Sequence, residues 1–378
     1  MKIGIVCYPT FGGSGVVATE LGIELSKKGY EIHFITYNQP VKLELLSNKV
    51  HYHEVMVPDY PLFHYQPYEL ALSTKVVDMV KKYKIDLLHV HYAIPHAYAA
   101  FMAKNMLEYE GINIPVVTTL HGTDITLVGS HPSYKAAVEF SINKSDAVTA
   151  VSESLKNDTE ELFNIDTEIS VIPNFINLEK YPTSKNKGNR GIIAKEDEKI
   201  ICHISNFRKV KRISDVLNVF DGINKTMPSK LLMVGEGPEK ENAEKICKEL
   251  NITDNVYFFG NTNETTNILS FTDLFLLTSS TESFGLAALE AMASYVPVIS
   301  TNAGGLPEVN INGESGYMSN VGDVNDMIKN SLKILSDNKI NDEFKENARK
   351  RAEKYDIHKI VPFYESIYIM AVNNLKTQ

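Results

Sequence analysis

Short apolar runs alternate with amphipathic stretches along almost the whole chain, and this alternation constrains the fold more than any other feature. Between the first two runs, Val17, Leu21 and Leu25 recur at helical spacing. The apolar runs lie at residues 2–7, 31–37, 50–55, 85–91, 115–121, 147–151, 169–173, 200–205, 230–234, 255–260, 274–278 and 297–300. Strands that alternate with helices predict the α/β class, with doubly wound parallel sheets.

A polar segment divides this pattern in two. Residues 183–198 contain the sequences TSKNKGNRG and KEDE without an apolar period, which is typical of a linker. We therefore predict a first domain at residues 1–174, a linker at 175–198 and a second domain at 199–356. Because ligands of doubly wound folds bind beyond the carboxyl ends of the strands, the two domains are expected to face a central cleft.

The last segment of the chain predicts an amphipathic helix. Its apolar residues follow an i, i+3, i+4 stripe that consists of Ile360, Phe363, Tyr364, Ile367, Tyr368 and Ala371. Such a helix either packs on the second domain or crosses back to the first. We predict the crossing, with residues 357–378 completing the first domain.

Composition limits the partners that such a chain can have. The 378 residues carry 38 Lys and Arg against 47 Asp and Glu, for a formal net charge of −9. General binders of nucleic acid or anionic membranes are usually basic, so the sequence predicts neither partner. A small anionic ligand stays compatible, since a few local cations can hold one. The sequence does not decide whether the chain forms a homo-oligomer.

Cysteine usage and hydropathy predict a cytoplasmic location. Cys7, Cys202 and Cys247 lie in apolar or helical runs and form no CxxC pair, so we expect reduced packing thiols. The first apolar run is too short for a signal peptide. No uninterrupted apolar run reaches the roughly 18 residues of a membrane span.

Two features of the first domain are candidate ligand contacts. The loop Gly12-Gly13-Ser14-Gly15 follows the first run and opens a helix, where backbone N–H groups attract anions. It fits the dinucleotide fingerprint poorly, and many such loops are only turns. His121 follows a strand and is expected to face the cleft, with a capped structural histidine as the alternative.

A group of histidines lies further upstream. Strand alternation places His89 and His91 on one face, and His96 follows them. No acidic or cysteine partner lies nearby at a recognised ligand spacing, so we predict no metal site there.

The second domain offers two stretches suited to a sugar nucleotide. In Ser205–Arg212, a run of cations follows a strand and suits a diphosphate, with a solvated basic patch as the alternative. In Thr281–Met292, we expect Ser283 to cap a helix and Gly285 to keep its first turn open for phosphate oxygens.

Two carboxylates accompany that second stretch. Glu282 precedes the helix, where it can accept hydrogen bonds from sugar hydroxyls. Glu290 is expected about two turns into the helix, on the order of 10 Å from the cap, where it suits a ribose diol. The alternative is an ordinary surface glutamate beside a capped helix. The glycine loop at residues 302–308 follows the next strand and supports the same cleft.

Together these residues resemble a known family. The Glu282-x7-Glu290 spacing, Arg208 with Lys211, the glycine loop and His121 are similar to retaining glycosyltransferases of family 4, which have the GT-B fold of two Rossmann-like domains. One departure is the basic loop. Many relatives place the lysine about five residues after the arginine, whereas Lys211 follows Arg208 by three, so Arg212 is an alternative to Lys211.

Segments 7–15, 91–97, 118–124 and 205–212 resemble more closely the branch of that family that starts bacillithiol biosynthesis. This resemblance implies transfer of GlcNAc from UDP-GlcNAc to L-malate, with no required cofactor and no essential metal. It implies catalytic roles for His121, Arg208, Lys211 and Glu282. It implies donor binding by Gly15, Asn206, Gly260, Asn261, Ser283, Phe284, Gly285, Leu286 and Glu290. It implies acceptor binding by Gly13, Ser14, Tyr92 and Thr119.

Other functions stay open from the sequence. A sugar-nucleotide epimerase has a similar cleft but would turn over UDP-GlcNAc without malate. A dinucleotide oxidoreductase would bind NAD, and a sugar-nucleotide sensor would not need His121. Another family 4 enzyme would use a lipid or glycan acceptor, although only scattered lysines are available to meet a membrane.

Overall fold

The computed structural model divides the chain into two compact units. It describes residues 1–10, 12–41, 43, 47–59, 65–182 and 190–377. One unit comprises Met1–Phe175 with Ile357–Gln378, and the other comprises Ile176–Asp356. No helix among the described residues combines the length and apolar character needed to cross a membrane.

The first unit contains a seven-stranded sheet with the order β3-β2-β1-β4-β5-β6-β7. Every neighbouring pair in it is parallel. Its strands are β1 (Lys2–Val6), β2 (Glu31–Thr36), β3 (Val50–Glu54), β4 (Leu87–His91), β5 (Val116–Leu120), β6 (Ala147–Ala150) and β7 (Ile169–Val171). Its helices are α1 (Ser14–Lys27), α2 (Tyr68–Tyr83), α3 (Tyr98–Tyr109), α4 (Pro132–Asn143), α5 (Glu153–Leu162) and, from the end of the chain, α14 (Ile357–Thr377).

The second unit contains a six-stranded sheet with the order β10-β9-β8-β11-β12-β13, again parallel throughout. Its strands are β8 (Lys199–Ile204), β9 (Ser229–Val234), β10 (Val256–Gly260), β11 (Leu274–Leu277), β12 (Val298–Thr301) and β13 (Gly316–Ser319). Its helices are α6 (Arg190–Ile193), α7 (Ile213–Asn224), α8 (Lys240–Glu249), α9 (Thr265–Ser270), α10 (Leu286–Ala293), α11 (Leu306–Val309), α12 (Val324–Leu335) and α13 (Asn338–Ala352). The predicted α/β class with doubly wound parallel sheets is confirmed.

Burial explains why the strands form apolar runs in the sequence. β4, β5, β11 and β12 are buried along their whole length, as strands covered by helices on both faces must be. The edge strand β13 was missed by the sequence analysis. It is short, begins with glycine and is buried only at its two ends, so it lacks that signal.

The helix α14 packs on the first unit, with a buried stripe that differs from the predicted one. Ile360, Tyr364 and Tyr368 are at most 4% exposed, whereas Phe363 is 57% exposed. The buried residues recur every four positions, and Phe363 points away from them. The predicted inclusion of Phe363 in the packed stripe is therefore wrong.

Polar contacts also attach α14 to the first unit. The Tyr368 hydroxyl lies 2.8 Å from His89 Nδ1 beneath the sheet. At the surface, Glu365 accepts a bond of 2.6 Å from Lys28 Nζ and one of 3.1 Å from the Tyr30 hydroxyl. The last helix is thus bonded to both the interior and the rim of this unit.

The described part of the predicted linker belongs to the second unit from Ile176 onwards, while Phe175 belongs to the first and residues 183–189 lie outside the described residues. The Ile176 N–H donates to the Tyr355 carbonyl at 3.1 Å, so the two ends of this unit meet. Arg190 Nη1 bonds Asp273 Oδ2 at 2.8 Å and the Phe271 carbonyl at 3.1 Å.

We predict that Tyr364→Ala lowers the free energy of unfolding of the first unit by about 3–5 kcal/mol, because it removes a fully buried aromatic ring. The exposed neighbour Phe363 is the matched control, and Phe363→Ala should change stability by less than about 0.5 kcal/mol. Urea denaturation measures both. Equal effects of the two substitutions would contradict the packing of α14.

Candidate active site

In each sheet, the chain winds outward in opposite directions from one pair of adjacent strands. These pairs are β1 with β4 and β8 with β11. Loops after such strands leave a crevice between them, which is where open α/β sheets bind ligands. The residues proposed from the sequence are concentrated in the loops at these two places.

In the first unit, the backbone approaches very closely where α1 begins. A Cβ added to Gly15 would lie 2.5 Å from the Tyr8 carbonyl oxygen and 2.9 Å from the Thr10 nitrogen, so only glycine fits. Gly13 precedes the helix with a φ of +59° and is exposed. Gly15 is buried, and its contribution to any ligand site is through the backbone.

Ser14 and Tyr92 are brought together by this start of α1. The Ser14 hydroxyl lies 2.8 Å from the Tyr92 hydroxyl, and either group can donate. Tyr92 follows β4 with a φ of +84°, a conformation that a non-glycine residue adopts at a cost in strain. Its N–H donates to the Thr119 carbonyl at 2.9 Å, which holds the loop in place. Both side chains thus belong to one polar surface.

Beneath that surface, a chain of hydrogen bonds crosses the sheet. His89 Nδ1 lies 2.8 Å from the Tyr368 hydroxyl, and His89 Nε2 lies 2.8 Å from Thr119 Oγ1. Thr119 Oγ1 in turn lies 2.7 Å from Thr149 Oγ1. Thr119 is fully buried. The structure therefore places it behind the surface as support, not on it as the predicted direct contact for an acceptor.

His121 is held by a second histidine. Its Nε2 lies 2.8 Å from His91 Nδ1, and its ring lies 5.2 Å from that of Tyr92. His96 Nδ1 donates to the His91 carbonyl at 2.6 Å. Sequence alternation placed His89 and His91 on one face, and their ring centroids are 4.4 Å apart.

Burial keeps these histidines neutral. It lowers the pKa of His89 and His121 to about 3 and that of His96 to about 4, and it lowers the pKa of His91 well below its ordinary value. At neutral pH each ring therefore has one N–H donor and one acceptor nitrogen. His121 can contact a ligand through a hydrogen bond without bringing a positive charge.

Asp124 organises the two loops and was missed by the sequence analysis. Its carboxylate accepts N–H bonds from Ala93 at 2.8 Å, Gly122 at 2.9 Å and His121 at 3.2 Å. Burial raises the pKa of Asp124 to about 6, against the effect of these hydrogen bonds. The available signal was the sequence His121-Gly122-Thr123-Asp124, since an aspartate after a turn often bonds preceding or following N–H groups.

In the second unit, Lys211 and Glu282 form an ion pair at the strand switch. The Nζ–Oε2 distance is 2.6 Å, and the side chains are 17% and 16% exposed. They were predicted as separate ligands of a diphosphate and of a sugar. Here each neutralises the other while both stay within reach of solvent.

Hydrogen bonds to backbone carbonyls join the two loops that carry this pair. Thr278 Oγ1 donates to the Lys211 carbonyl at 2.9 Å and to that of Arg212 at 3.2 Å. The Ser280 N–H donates to the Val210 carbonyl at 2.8 Å. These bonds fix the position of Lys211 relative to the segment after β11.

The cations of the basic loop differ in the ion pairs that they form. Arg208 is exposed and forms no ion pair within the described parts of the chain. Arg212 has a φ of +50°, and its Nε bonds Asp215 Oδ2 at 2.5 Å. The structure therefore pairs Lys211 with Glu282 and engages Arg212 elsewhere. Asn206 in the same loop is exposed.

Gly304 and Gly305 pack closely against the backbone of Glu282 and Ser283. A Cβ on Gly304, where φ is +55°, would lie 2.1 Å from the Glu282 carbonyl oxygen, and one on Gly305 would lie 2.3 Å from that of Ser283. The Gly305 N–H donates to the Glu282 carbonyl at 2.8 Å. The glycine loop after β12 is thus part of the platform on which Glu282 sits.

The start of α10 differs from the prediction. Gly285 precedes the helix with a φ of +98°, and Leu286 is its first residue, so the predicted cap by Ser283 is wrong. Glu290 is the fifth residue of α10, about 6 Å along the axis from Leu286, and not two turns in. Phe284 is 2% exposed and packs 5.5 Å from the Tyr355 ring, so its side chain lies in the interior.

The loop after β10 completes the same edge of the sheet. Gly260 has a φ of +63°, and its carbonyl accepts the Gly235 N–H at 2.8 Å. A Cβ on Gly235 would lie 1.8 Å from the Ser205 carbonyl oxygen, so this contact also packs against the basic loop. Asn261 follows Gly260 and is exposed.

Comparisons with known proteins identify the family of the chain. A model of Glycosyltransferase Family 4 matches residues 11–180, and one of Glycosyl transferases group 1 matches residues 185–351. The N-acetyl-alpha-D-glucosaminyl L-malate synthase of Bacillus anthracis is 46% identical over 372 residues, which cover 97% of this chain and 96% of that protein. The chain belongs to glycosyltransferase family 4. The predicted resemblance is confirmed, and the protein is a glycosyltransferase.

Solved structures confirm the GT-B fold of this family 4 glycosyltransferase. Sucrose-phosphate synthase from Thermosynechococcus elongatus is 20% identical with a TM-score of 0.81, and each chain is covered to 98%. The Anabaena protein HepE in complex with UDP and glucose is 18% identical with a TM-score of 0.81, covering 97% of this chain and 99% of its own. At these identities the likeness concerns the fold alone.

We predict that Gly304→Ala lowers kcat/KM for glycosyl transfer by about 100-fold, because the added Cβ must displace the Glu282 backbone. Gly313→Ala is the matched control. Gly313 also has a positive φ, of +79°, but its added Cβ would meet nothing nearer than 4.0 Å. The control should lose about 1–2 kcal/mol of stability and keep its activity. Similar activity losses in both variants would contradict the supporting role of Gly304.

Proposed function

We propose that this glycosyltransferase transfers N-acetylglucosamine from UDP-GlcNAc to the hydroxyl of L-malate, with retention at the anomeric carbon. The proposal rests on the 46% identity, over nearly the full length of both chains, to a protein named for that reaction. The UDP and glucose complex of HepE supports a uridine nucleotide as the donor. We further propose that the reaction is the first step of bacillithiol biosynthesis and takes place in the cytoplasm.

We assign the donor to the second unit. Arg208 and Lys211 face the diphosphate, and the N–H groups at the start of α10 add hydrogen bonds to it. Glu282 accepts bonds from the sugar hydroxyls, and Glu290 accepts them from the ribose. The exposed position of Arg208 and the partial exposure of Lys211 support these roles, since both cations can reach a ligand.

The uracil is assigned to Gly260 and Asn261, at the carboxyl end of β10. Gly260 is already bonded through its carbonyl, and the exposed Asn261 amide can donate and accept hydrogen bonds with a base edge. Asn206, also exposed, lies in the neighbouring basic loop. These assignments place the nucleotide along the carboxyl edge of the sheet, from β10 at one side to β8 and β11 at the centre.

We assign the acceptor to the first unit. Malate carries two carboxylates, and the backbone from Gly13 to Gly15 opens a helix, where N–H groups favour negative charge. The paired hydroxyls of Ser14 and Tyr92 supply donors beside it. The neutral His121 adds a hydrogen bond on the same surface.

The proposed reaction needs no nucleophile from the protein. The malate hydroxyl attacks the anomeric carbon from the face that UDP leaves, the C1–O bond to phosphate breaks, and the hydroxyl proton passes to the departing phosphate. Arg208 and Lys211 stabilise the charge that grows on UDP. In this proposal those cations and N–H groups take the place of a divalent metal.

An acceptor panel tests the proposed function. We expect UDP release from UDP-GlcNAc to be strongly stimulated by L-malate, with a product whose mass equals GlcNAc-malate. D-malate, lactate and a lipid acceptor serve as controls. UDP release stimulated by a lipid or glycan and not by malate would refute the acceptor and leave the family assignment intact.

We predict that Lys211→Ala lowers kcat by a factor equivalent to about 2–4 kcal/mol, because it removes one charge from the leaving diphosphate. The dissociation constant for UDP-GlcNAc should rise much less, since that charge is smaller in the ground state. Arg212→Ala is the control, as Arg212 is bonded to Asp215. A larger loss of kcat in Arg212→Ala than in Lys211→Ala would transfer the role to Arg212.

A further inference from the structure

Outside the candidate active site, the described residues of the first unit include one cluster of side chains of types that can ligate a metal ion. Glu31, His33 and His51 each offer a ligand atom, and these atoms lie within 4.8 Å of one another. Glu31 Oε1 is 3.2 Å from His33 Nε2 and 3.6 Å from His51 Nε2. None of these three residues has a role in the proposed glycosyl transfer.

The sheet register brings the cluster together. His33 of β2 pairs with His51 of β3, and both strands run parallel at the edge of the sheet. Since side chains alternate along a strand, Glu31 and His33 share a face of β2, and His51 and His53 share the same face of β3. The cluster therefore depends on strand geometry and not on a flexible loop.

The separations fit a tetrahedral metal ion. Zinc takes imidazole nitrogens and carboxylate oxygens at about 2.0–2.2 Å, so two ligand atoms on a tetrahedron lie about 3.3–3.6 Å apart. The Glu31–His51 distance of 3.6 Å lies at the upper end of that range, and the Glu31–His33 distance of 3.2 Å lies just below it. The His33 side chain is buried, whereas those of Glu31 and His51 are about one third exposed, so the cluster is open to solvent on one side.

A fourth residue orients the buried ligand. His33 Nδ1 lies 2.9 Å from His53 Nε2. If His33 donates through Nδ1, its Nε2 lone pair is directed towards Glu31 and His51, as outer-shell partners do for metal-bound histidines. The rings of His33 and His53 each lie 4.8 Å from the Tyr83 ring, which packs over them from α2.

Lys2 is the competing cation. Its Nζ lies 3.2 Å from Glu31 Oε2 and 3.3 Å from Glu31 Oε1. This ammonium balances the Glu31 charge, and its side chain is 38% exposed. A metal ion would take Oε1 and leave Oε2 to Lys2.

We propose that Glu31, His33 and His51 bind a divalent transition-metal ion, with zinc as the best match. Two imidazoles and one carboxylate fill three tetrahedral positions, and water takes the fourth on the open side. The ion joins β2 to the edge strand β3. Binding to the folded state alone would raise the thermal stability of the first unit.

Cobalt is the probe, because tetrahedral Co²⁺ absorbs visible light strongly. The full chain, stripped with EDTA, is titrated with Co²⁺ and then with Zn²⁺ as competitor. We expect one equivalent of Co²⁺ to give tetrahedral bands that Zn²⁺ removes. Glu31→Gln and His51→Ala, both at partly exposed positions, should lose the bands while glycosyl transfer is kept.

Further variants distinguish the residues that bind the metal ion from a residue that only orients one of them. His131→Asn is the matched control, since His131 caps α4 and asparagine is a good cap, and it should keep the bands. His53→Phe should weaken binding by about 10–100-fold and keep the tetrahedral spectrum. Lys2→Gln should tighten binding by removing the competing charge.

The proposal is overturned if the parent chain shows no tetrahedral bands, or if the bands survive in both Glu31→Gln and His51→Ala. Loss of the bands in His131→Asn would also overturn it, because binding would then lie elsewhere. None of these outcomes bears on the transfer reaction. A failure of the malate assay would likewise leave the metal site untouched.

Discussion

Parallel pairing of all the strands in both sheets is the constraint on which the rest of the structure depends. Two parallel neighbouring strands cannot be joined by a tight turn. A crossover connection therefore carries the chain back to the end of the sheet at which each strand begins. Every strand then ends on one side of its sheet. In each sheet the winding direction changes between two adjacent strands, so the loops after β1 and β4, and those after β8 and β11, leave a crevice there. The candidate ligand loops of each unit follow from this geometry.

Close backbone contacts then position the polar side chains of the candidate site. A Cβ at Gly15 would collide with the Tyr8 carbonyl, and one at Gly304 with the Glu282 carbonyl, so within each unit glycine allows a close backbone contact that no other residue would. In the second unit this packing supports the ion pair of Lys211 with Glu282. In the first unit, Asp124 ties two loops through N–H bonds. The polar groups stand on rigid supports, as precise positioning requires.

Where the candidate residues lie in the fold could largely be predicted from residue types and their order. Four candidate residues were predicted to follow strands. In the structure, Arg208 and Lys211 follow β8, Glu282 follows β11 and His121 follows β5. The predicted cap by Ser283 failed because Gly285 adopts a left-handed φ and starts the helix later. Thr119 could not be distinguished from a surface contact, since strand alternation does not say which polar side chains meet beneath a sheet. The cluster of Glu31, His33 and His51 was missed because its ligands come from two strands.

By itself, the sequence determined the α/β class, the parallel strands and the polar loops at their carboxyl ends, because burial and periodicity are local properties that each segment records. It also carried the family resemblance that the comparisons confirmed. Only the tertiary structure decided which residues meet. Lys211 bonds Glu282 across 71 residues, and Tyr368 bonds His89 across 279. The tertiary structure also decided that Arg212 bonds Asp215 and that the Phe363 side chain is exposed to solvent. Such pairings depend on register, backbone torsion and helix rotation, which arise when distant segments pack together.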